Sequence, residues 1–213
     1  MPNLYQILLA SLIALFIITP ARAGNWFTTV GVASDYVWRG TTQTDGQAAV
    51  SGGIEFVDYK YMYIGSWISN TSQGTKGSNS SEVDLYVGVS GKQDDTGFDV
   101  GFISYQYQQS SDLNFEEIYA SFSKSGFTVK ISDSNDVGNY MEANLKLKFP
   151  TKRKVFMSIH AGRYNRDGEE DYNDISASLH IDELTLTVSD TDLETTDDHD
   201  MKIYLNWEHA IEF

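Results

Sequence analysis

The sequence predicts an all-β protein, a transmembrane antiparallel up-and-down β-barrel of about twelve strands. The last thirteen residues, Met201–Phe213, alternate between bulky and mostly polar side chains, the period of a strand with one apolar face. The chain contains 4 Trp, 13 Tyr and 11 Phe but only 3 Pro, and short alternating runs outnumber helical patterns. Beyond residue 23, no run of about 20 apolar residues could form a spanning helix.

The first 23 residues are predicted to be a secretory signal peptide. Ile7–Thr19 is apolar, and Pro20–Ala23 ends in the A-x-A pattern of a cleavage site. The apolar stretch is shorter than the ~20 residues of a spanning helix, which disfavours a membrane anchor. The positive end is weak, because Met1–Gln6 carries no Lys or Arg. We therefore expect a single exported barrel domain at Gly24–Phe213.

Twelve candidate strands follow in chain order. Short alternating or apolar runs, bounded by residues that favour turns, mark each of them. They are Trp26–Val37, Ala48–Val57, Tyr61–Ser69, Glu82–Ser90, Phe98–Gln106, Phe115–Ser123, Phe127–Ser132, Tyr140–Phe149, Val155–Tyr164, Tyr172–His180, Leu184–Ser189 and Met201–Phe213.

Several of these strands show which face is apolar. In the fourth strand Val83, Leu85, Val87 and Val89 share one face, and comparable apolar faces occur in the eighth and tenth strands. The third strand is ambiguous, because Tyr63 and Trp67 alternate with Ile64 and Ile68. Either pair is compatible with the outer face.

The connections alternate in length, which is typical of outer-membrane barrels. Those after even-numbered strands are short, and most of those after odd-numbered strands are longer and more polar. An even strand count places both chain ends on the periplasmic side, where the first and last strands can pair and close the sheet. Aromatic residues near strand ends predict belts at both membrane interfaces.

Composition excludes several classes of function. The chain has no Cys, so it has neither a disulfide nor a thiolate metal site. Its formal net charge of −15 argues against binding nucleic acid, whose phosphates require a basic surface. We expect no cofactor, and we expect a membrane setting with lipid and lipopolysaccharide as partners. The terminal Phe213 resembles the signal that the barrel-assembly machinery reads.

Two segments resemble a known family. One is Ser34–Gly40, SDYVWRG, followed by QTDG at residues 43–46; the other is Tyr63–Asn70, YIGSWISN, followed by Glu82–Gly88, EVDLYVG. Together they resemble the TorF-type outer-membrane porin family of Gram-negative bacteria. The resemblance implies an outer-membrane barrel and a pore, and it brings no established substrate. It also favours a pair between Asp35 and Arg39, with a purely structural ion pair as the alternative.

If the apolar faces meet lipid, the opposite faces line the interior. Charged groups in a water-filled lumen set ion selectivity, but the same groups could pair with one another and plug a narrow barrel. The predicted pore-lining residues are Asp35, Arg39, Glu55, Glu82, Asp84, Glu117, Lys130, Glu142, Lys146, Asp174 and Lys202.

A second acidic group lies in the last long loop, where it should attract cations. It comprises Asp190, Asp192, Glu194, Asp197, Asp198 and Asp200. Asp190–Glu194 resembles the start of an EF-hand loop, but Thr195 stands where that loop requires Gly and Met201 where it requires Glu. A dedicated metal site is therefore not expected.

Catalysis is also not expected. Neither G-x-S-x-G nor H-E-x-x-H occurs, and Ser158 and His160 would stand about 7 Å apart on one strand. The sequence thus predicts a passive diffusion channel for small hydrophilic solutes or cations. The alternatives are a non-conducting structural or interaction barrel that displays acidic loops and, more remotely, a lipid-active membrane enzyme.

Overall fold

The computed structural model describes residues 24–58, 61–72, 80–194 and 200–213. Its main body is a closed barrel of twelve antiparallel strands, accompanied by a small two-stranded hairpin. The predicted signal peptide lies outside the described residues. Within the described part of the chain, no helix is long and apolar enough to cross a bilayer.

The strands follow one another in chain order around the barrel, as the sequence predicts. Strands β2 (Val37–Trp38) and β3 (Thr41–Thr42) form the hairpin, and residues Ser111–Leu113 form a 3₁₀ turn. The barrel strands are β1 (Gly24–Ala33), β4 (Ala49–Asp58), β5 (Met62–Thr71), β6 (Ser80–Gln93), β7 (Thr96–Tyr107), β8 (Phe115–Lys124), β9 (Phe127–Ser134), β10 (Gly138–Lys148), β11 (Val155–Asn165), β12 (Tyr172–Ile181), β13 (Leu184–Thr191) and β14 (Lys202–Glu212).

Pairing between the first and last strands closes the barrel. Strand β1 pairs with β4 on one side and β14 on the other, with Val32 opposite Trp207. Trp26 and Phe213 exchange two backbone hydrogen bonds of 3.2 and 3.0 Å. Closure satisfies the backbone groups that an open sheet would leave at its edges. We call the end that holds Gly24 and Phe213 the turn end and the opposite end the loop end.

Tight turns define the turn end. Asp94-Asp95, Ser125-Gly126 and Asp182-Glu183 each connect two strands, and the first residue of each turn has a φ of 52 to 55°. Positive φ at the first central residue is the geometry of the two-residue hairpin turns that match strand twist. The predicted short connections at this end are therefore confirmed at these three positions.

The outer face of the barrel is apolar. Leu85 is 51% exposed, Ile131 54% and Ile203 63%, and the inner face carries the polar residues between them. The ambiguous strand β5 turns Ile64 and Ile68 outward and places Tyr63 in the lumen. Because the side-chain period of a strand is two, one such assignment fixes the whole strand.

The predicted aromatic belt is present at one end only. At the turn end, exposed rings lie on the outer surface: Trp26, Phe98, Phe122, Phe127, Phe149 and Phe213. At the loop end the belt prediction is wrong, because the rings point inward and are buried: Tyr105, Phe115, Tyr140, Tyr164 and Tyr172. They share the inner face with Glu117 and Asp174, since residues two apart on a strand face the same way.

The prediction that the first strand continues to Val37 is also wrong. Strand β1 ends at Ala33, and the connection to β4 folds back into the barrel as the β2–β3 hairpin. Its two-residue turn is Arg39-Gly40, with φ of 47° and 79°, the two positive values that a type I′ turn requires. The Tyr172 hydroxyl donates to the Arg39 carbonyl at 2.9 Å. The turn of the hairpin therefore contacts β12 inside the barrel.

The two walls of the lumen differ in side-chain size. Strands β5 to β8 contribute the rings of Tyr63, Tyr86, Tyr105 and Tyr119, of which Tyr63 and Tyr119 meet through their hydroxyls. Below the hairpin, strands β12 and β13 contribute small hydroxyl groups, such as the Ser178–Thr187 pair at 2.9 Å. In this part of the barrel, open space therefore lies beside these hydroxyl groups.

Because Leu85 faces outward, we predict that a charged side chain at this position lowers the stability of the folded barrel in a bilayer. The size of the loss depends on how deep the residue lies in the bilayer. Leu85→Arg should weaken folding into lipid vesicles by about 2–4 kcal/mol, because the guanidinium would face hydrocarbon. The matched control is Asn206→Arg, which places the same group beside an internal cavity. Folding yield and urea unfolding in vesicles measure the difference. Equal effects would contradict the assignment of faces.

Candidate functional site: the hairpin constriction of the lumen

The β2–β3 hairpin narrows the lumen, and we call this narrow region the constriction. Arg39 lies at its centre. Its guanidinium makes two hydrogen bonds to the Glu117 carboxylate, of 2.8 and 2.9 Å, and the two side chains are 7% and 2% exposed. The guanidinium carbon also lies 4.1 to 4.7 Å from the ring centroids of Trp38, Tyr140 and Tyr164. Bidentate pairing and aromatic faces together compensate for the cost of burying a cation.

The predicted Asp35–Arg39 pair is not formed. The Asp35 carboxylate instead accepts hydrogen bonds from the Thr42 and Thr44 hydroxyls at 2.5 and 3.0 Å. The reason is the inward turn after Ala33, which removes Asp35 and Arg39 from a common strand face. Asp35 fastens the base of the hairpin, and Arg39 fastens its tip to the opposite wall.

Close packing requires glycine next to Arg39. A Cβ on Gly40 would lie 2.7 Å from the Asp174 Cβ and 3.3 Å from the Thr191 Cβ, and the φ of 79° already favours Gly. The sequence Arg39-Gly40 therefore provides an anchoring cation and a residue small enough to touch the wall.

Two predicted lumen acids, Glu82 and Asp84, lie side by side on β6. They are 1% and 7% exposed, and the Tyr36 hydroxyl donates to Glu82 at 3.0 Å. Glu82 Oε2 and Asp84 Oδ1 accept no hydrogen bond from any described residue. The two carboxyl groups lie close to each other. Two buried carboxylates repel each other when both are ionised.

A polar cluster lies below the hairpin tip. Asp174 accepts from the Tyr140 hydroxyl at 2.8 Å, and its other oxygen lies 2.8 Å from His160 Nε2. His160 Nδ1 lies 2.9 Å from the Asn144 amide oxygen and 3.6 Å from Glu142. The cluster brings together the predicted residues Asp174 and Glu142 with Tyr140 and His160, which were not among the predicted pore-lining residues.

The remaining predicted lumen residues are spread along the barrel. Glu55 is hydrogen-bonded to Tyr86, and Lys130 lies over the Tyr119 ring at 4.3 Å. Nearer the turn end, Lys146 covers the Phe156 ring at 3.7 Å. At the loop end, Lys202 Nζ donates to the Asp200 carbonyl at 3.3 Å. The predicted lumen residues therefore come from most strands of the barrel.

Three cavities lie in series inside the barrel. The lower cavity, of 370 Å³, is lined by Asp35, Asn206 and Glu208 among others. The middle cavity, of 240 Å³, holds the His160 cluster and shares Val37 and Tyr204 with the lower one. The vestibule, of 310 Å³, opens at the loop end and shares only Trp38 with the middle cavity. The hairpin separates the vestibule from the space below.

The acidic loop is only partly described. Asp197 and Asp198 lie outside the described residues. Asp190 and Glu194 are exposed, and the Asp192 carboxylate accepts the backbone N–H of Asn173, which holds the pKa of Asp192 below its usual value. Leu193, between the acids, is buried against the lumen tyrosines. This segment therefore packs into the mouth of the barrel.

One Ser–His contact is present that strand spacing does not suggest. Ser158 Oγ lies 2.9 Å from His180 Nε2, and the Thr185 hydroxyl lies 2.9 Å from His180 Nδ1. The partner comes from the neighbouring strand β12. The pairing of β11 with β12, rather than the spacing along β11, therefore brings a histidine next to Ser158. No described group of three or more His, Cys, Asp or Glu residues could hold a metal ion.

An apolar exterior, a closed sheet of twelve strands and a charged lumen fit the class of outer-membrane β-barrel proteins. The chain belongs to the Gcw_chp family, described as bacterial proteins of unknown function, and the match spans residues 19–212. The family description does not mention TorF-type porins, so that resemblance stays a prediction. No curated protein matches the sequence significantly.

A similar fold occurs in a solved structure reported as "Unveiling the Mechanism Behind the in-meso Crystallization of Membrane Proteins". The TM-score is 0.53 at 7% sequence identity, and the alignment covers 88% of this chain and 84% of that chain. At this identity the likeness extends to the fold alone.

The buried ion pair predicts a non-additive effect on stability. Arg39→Met should lower the free energy of unfolding by about 3–5 kcal/mol, because Glu117 then loses its buried partner. The double variant Arg39→Met/Glu117→Met removes both charges and should cost less than the single variant. Urea unfolding in vesicles gives both values. A double variant less stable than the single would contradict this account.

Proposed function

We propose that the protein is an outer-membrane barrel of a Gram-negative cell that acts as a narrow passive diffusion pore for small hydrophilic solutes, with a preference for cations. The observation that carries the proposal is the series of three cavities inside the barrel. A packed structural core would fill this space with side chains.

The charge of the lumen supports the preference for cations. The inner face of the described residues carries six basic and ten acidic side chains. The bases are Arg39, Lys92, Lys130, Lys146, Lys148 and Lys202, and the acids are Asp35, Glu55, Glu82, Asp84, Asp99, Glu117, Glu142, Asp174, Glu208 and Glu212. A net negative lining raises the local concentration of cations and opposes anions.

The setting of this pore follows from its surfaces. The apolar exterior matches a lipid environment, and the exposed loop acids suit the cation-bridged lipopolysaccharide layer. In this proposal the loop end faces outward and the turn end faces the periplasm, as the short turns favour. The assembly machinery would engage β14 through Phe213, whose ring is 69% exposed.

A non-conducting barrel is the second candidate, and the hairpin favours it. Arg39 and the surrounding rings are tightly packed between the vestibule and the middle cavity. If this contact never opens, the barrel displays its acidic loops without passing solute. Conduction therefore decides between the two candidates.

We propose no covalent step. His180 takes its second hydrogen bond from or to a threonine hydroxyl rather than a carboxylate, so a cationic imidazolium would lack the stabilising partner that a Ser–His–acid triad supplies. A fluorophosphonate probe tests this directly: covalent labelling of Ser158 would favour the membrane-enzyme alternative.

Removal of the hairpin predicts a larger conductance. Gln43 N donates to the Tyr36 carbonyl at 2.6 Å, so two glycines can replace Val37–Thr42 without moving either neighbour. Combined with Glu117→Gln, this variant should conduct several-fold more potassium than the natural protein in planar bilayers, because the constriction is absent. The control is Arg163→Ala, which alters an exposed ion pair. Equal conductance in all three proteins would rule out the hairpin as the constriction.

The acidic groups of the lumen and the last loop predict that the preference for potassium over chloride depends on the salt concentration. Reversal potentials across a potassium chloride gradient should show preference for potassium, and the preference should grow in dilute salt, since the Debye length rises from about 3 Å at 1 M to about 30 Å at 0.01 M. Neutralising Asp190, Glu194 and Asp200 should shrink the preference at low salt, and Glu142→Gln should shrink it at all salts. A preference for chloride would contradict the proposed pore lining.

A further inference from the structure

We propose that the vestibule is a binding site for small organic cations of the alkylammonium class, such as choline, at the loop-end entrance. The inference deepens the proposed function, because it names a solute class for the pore. The role of the site as an entrance for solutes rests on the proposed pore function. The binding of cations does not, since binding does not require conduction.

The first observation is the aromatic lining of the vestibule. Five rings line a cavity of 310 Å³: Trp38, Tyr107, Phe115, Tyr164 and Tyr172. Aromatic faces carry negative potential, and several rings around one concave space form a cage that favours quaternary and alkylated ammonium groups over hydrated inorganic ions. A volume near 300 Å³ is at the small end of ligand pockets.

The second observation is that the protein already places its own cations on these rings. Arg39 lies 4.1 Å from the Trp38 centroid and 4.7 Å from the Tyr164 centroid. Arg166, on the vestibule side, lies 5.2 Å from the Tyr172 centroid. The ring cluster therefore binds cations in the folded protein. Trp38, Tyr107, Phe115 and Tyr164 also line the vestibule, where an incoming cation can contact them, whereas Arg166 already covers Tyr172.

The third observation is the charge around the cavity. Asp112, Asp136, Asp167 and Glu169 line it with one base, Arg166, which leaves an excess of three negative charges. Arg166 pairs with Glu169, so the other three acids have no ion-pair partner within the described part of the chain. The lining thus supplies anionic groups beside an apolar surface, the combination that an alkylammonium ion requires.

Gln43 adds a polar contact at the floor. It is 5% exposed and lines the vestibule. Its amide nitrogen donates to the carbonyl and hydroxyl oxygens of Thr41. The amide oxygen is an acceptor, and a hydroxyl group on the cation, as in choline, can donate to it.

Calorimetric titration of the purified barrel in a maltoside detergent tests the proposal without conduction. Choline should bind, and its neutral isostere 3,3-dimethyl-1-butanol should bind at least tenfold more weakly, because it lacks the charge. Potassium should compete poorly, since the rings do not replace its hydration shell. Equal binding of the isostere, or equal competition by potassium, would overturn the proposal, as would the absence of choline binding.

Matched variants locate the site. Asp112→Asn/Asp136→Asn/Asp167→Asn should weaken choline binding at least tenfold, whereas Asp45→Asn/Asp190→Asn/Glu194→Gln removes three exposed acids that do not line the cavity and should change it less than twofold. Phe115→Leu keeps an apolar side chain, removes a ring and should weaken binding about threefold. Equal losses in both triple variants would overturn the site. Choline binding in a barrel that does not conduct would refute the pore and leave this proposal intact.

Discussion

The ion pair between Arg39 and Glu117 organises the lumen of this barrel. A guanidinium and a carboxylate, both nearly inaccessible, are costly to bury unless they meet with good geometry. The pair meets in a bidentate arrangement within 3 Å, and three aromatic rings surround the cation. Because Arg39 lies in the turn of the hairpin, this contact holds the segment across the barrel rather than outside it.

The contact between Arg39 and Glu117 determines how the aromatic rings at the loop end are arranged. Tyr140 contributes a face to Arg39 and a hydroxyl to Asp174, and Trp38 contacts Tyr105, Phe115 and Tyr164. These residues would be a membrane belt if they faced outward. Facing inward, they form a partition with a vestibule on one side and a polar cavity on the other. In the proposed pore, both conduction and solute choice depend on this partition.

The asymmetry of the walls explains why the barrel is divided without being filled. Below the hairpin, rings on β5 to β8 occupy one side, whereas serines and threonines on β12 and β13 leave space on the other. The acids of the lumen are held mainly by hydroxyl and imidazole partners, as Asp174 is by Tyr140 and His160. Such partners stabilise a carboxylate and keep its negative charge, which a Lys or Arg partner would neutralise.

The sequence by itself determined the barrel: the strand number, the pairing of the first and last strands, the outer face of β6 and the inward position of Glu117 and Asp174. These follow from a period of two, which is local and needs no knowledge of neighbours. It could not decide the path of Ser34–Ala48, because the run Tyr36-Val37-Trp38 is as compatible with a strand as with a hairpin. Only the closed barrel brings Glu117, Tyr140 and Tyr164 around Arg39, from strands far apart in the chain. The same is true of the contact between Ser158 and His180, since cross-strand register decides which side chains meet. Tertiary structure therefore decided the constriction, the vestibule and the partners of the buried Arg39, Glu117 and Asp174, because each depends on contacts between segments that are distant in the sequence.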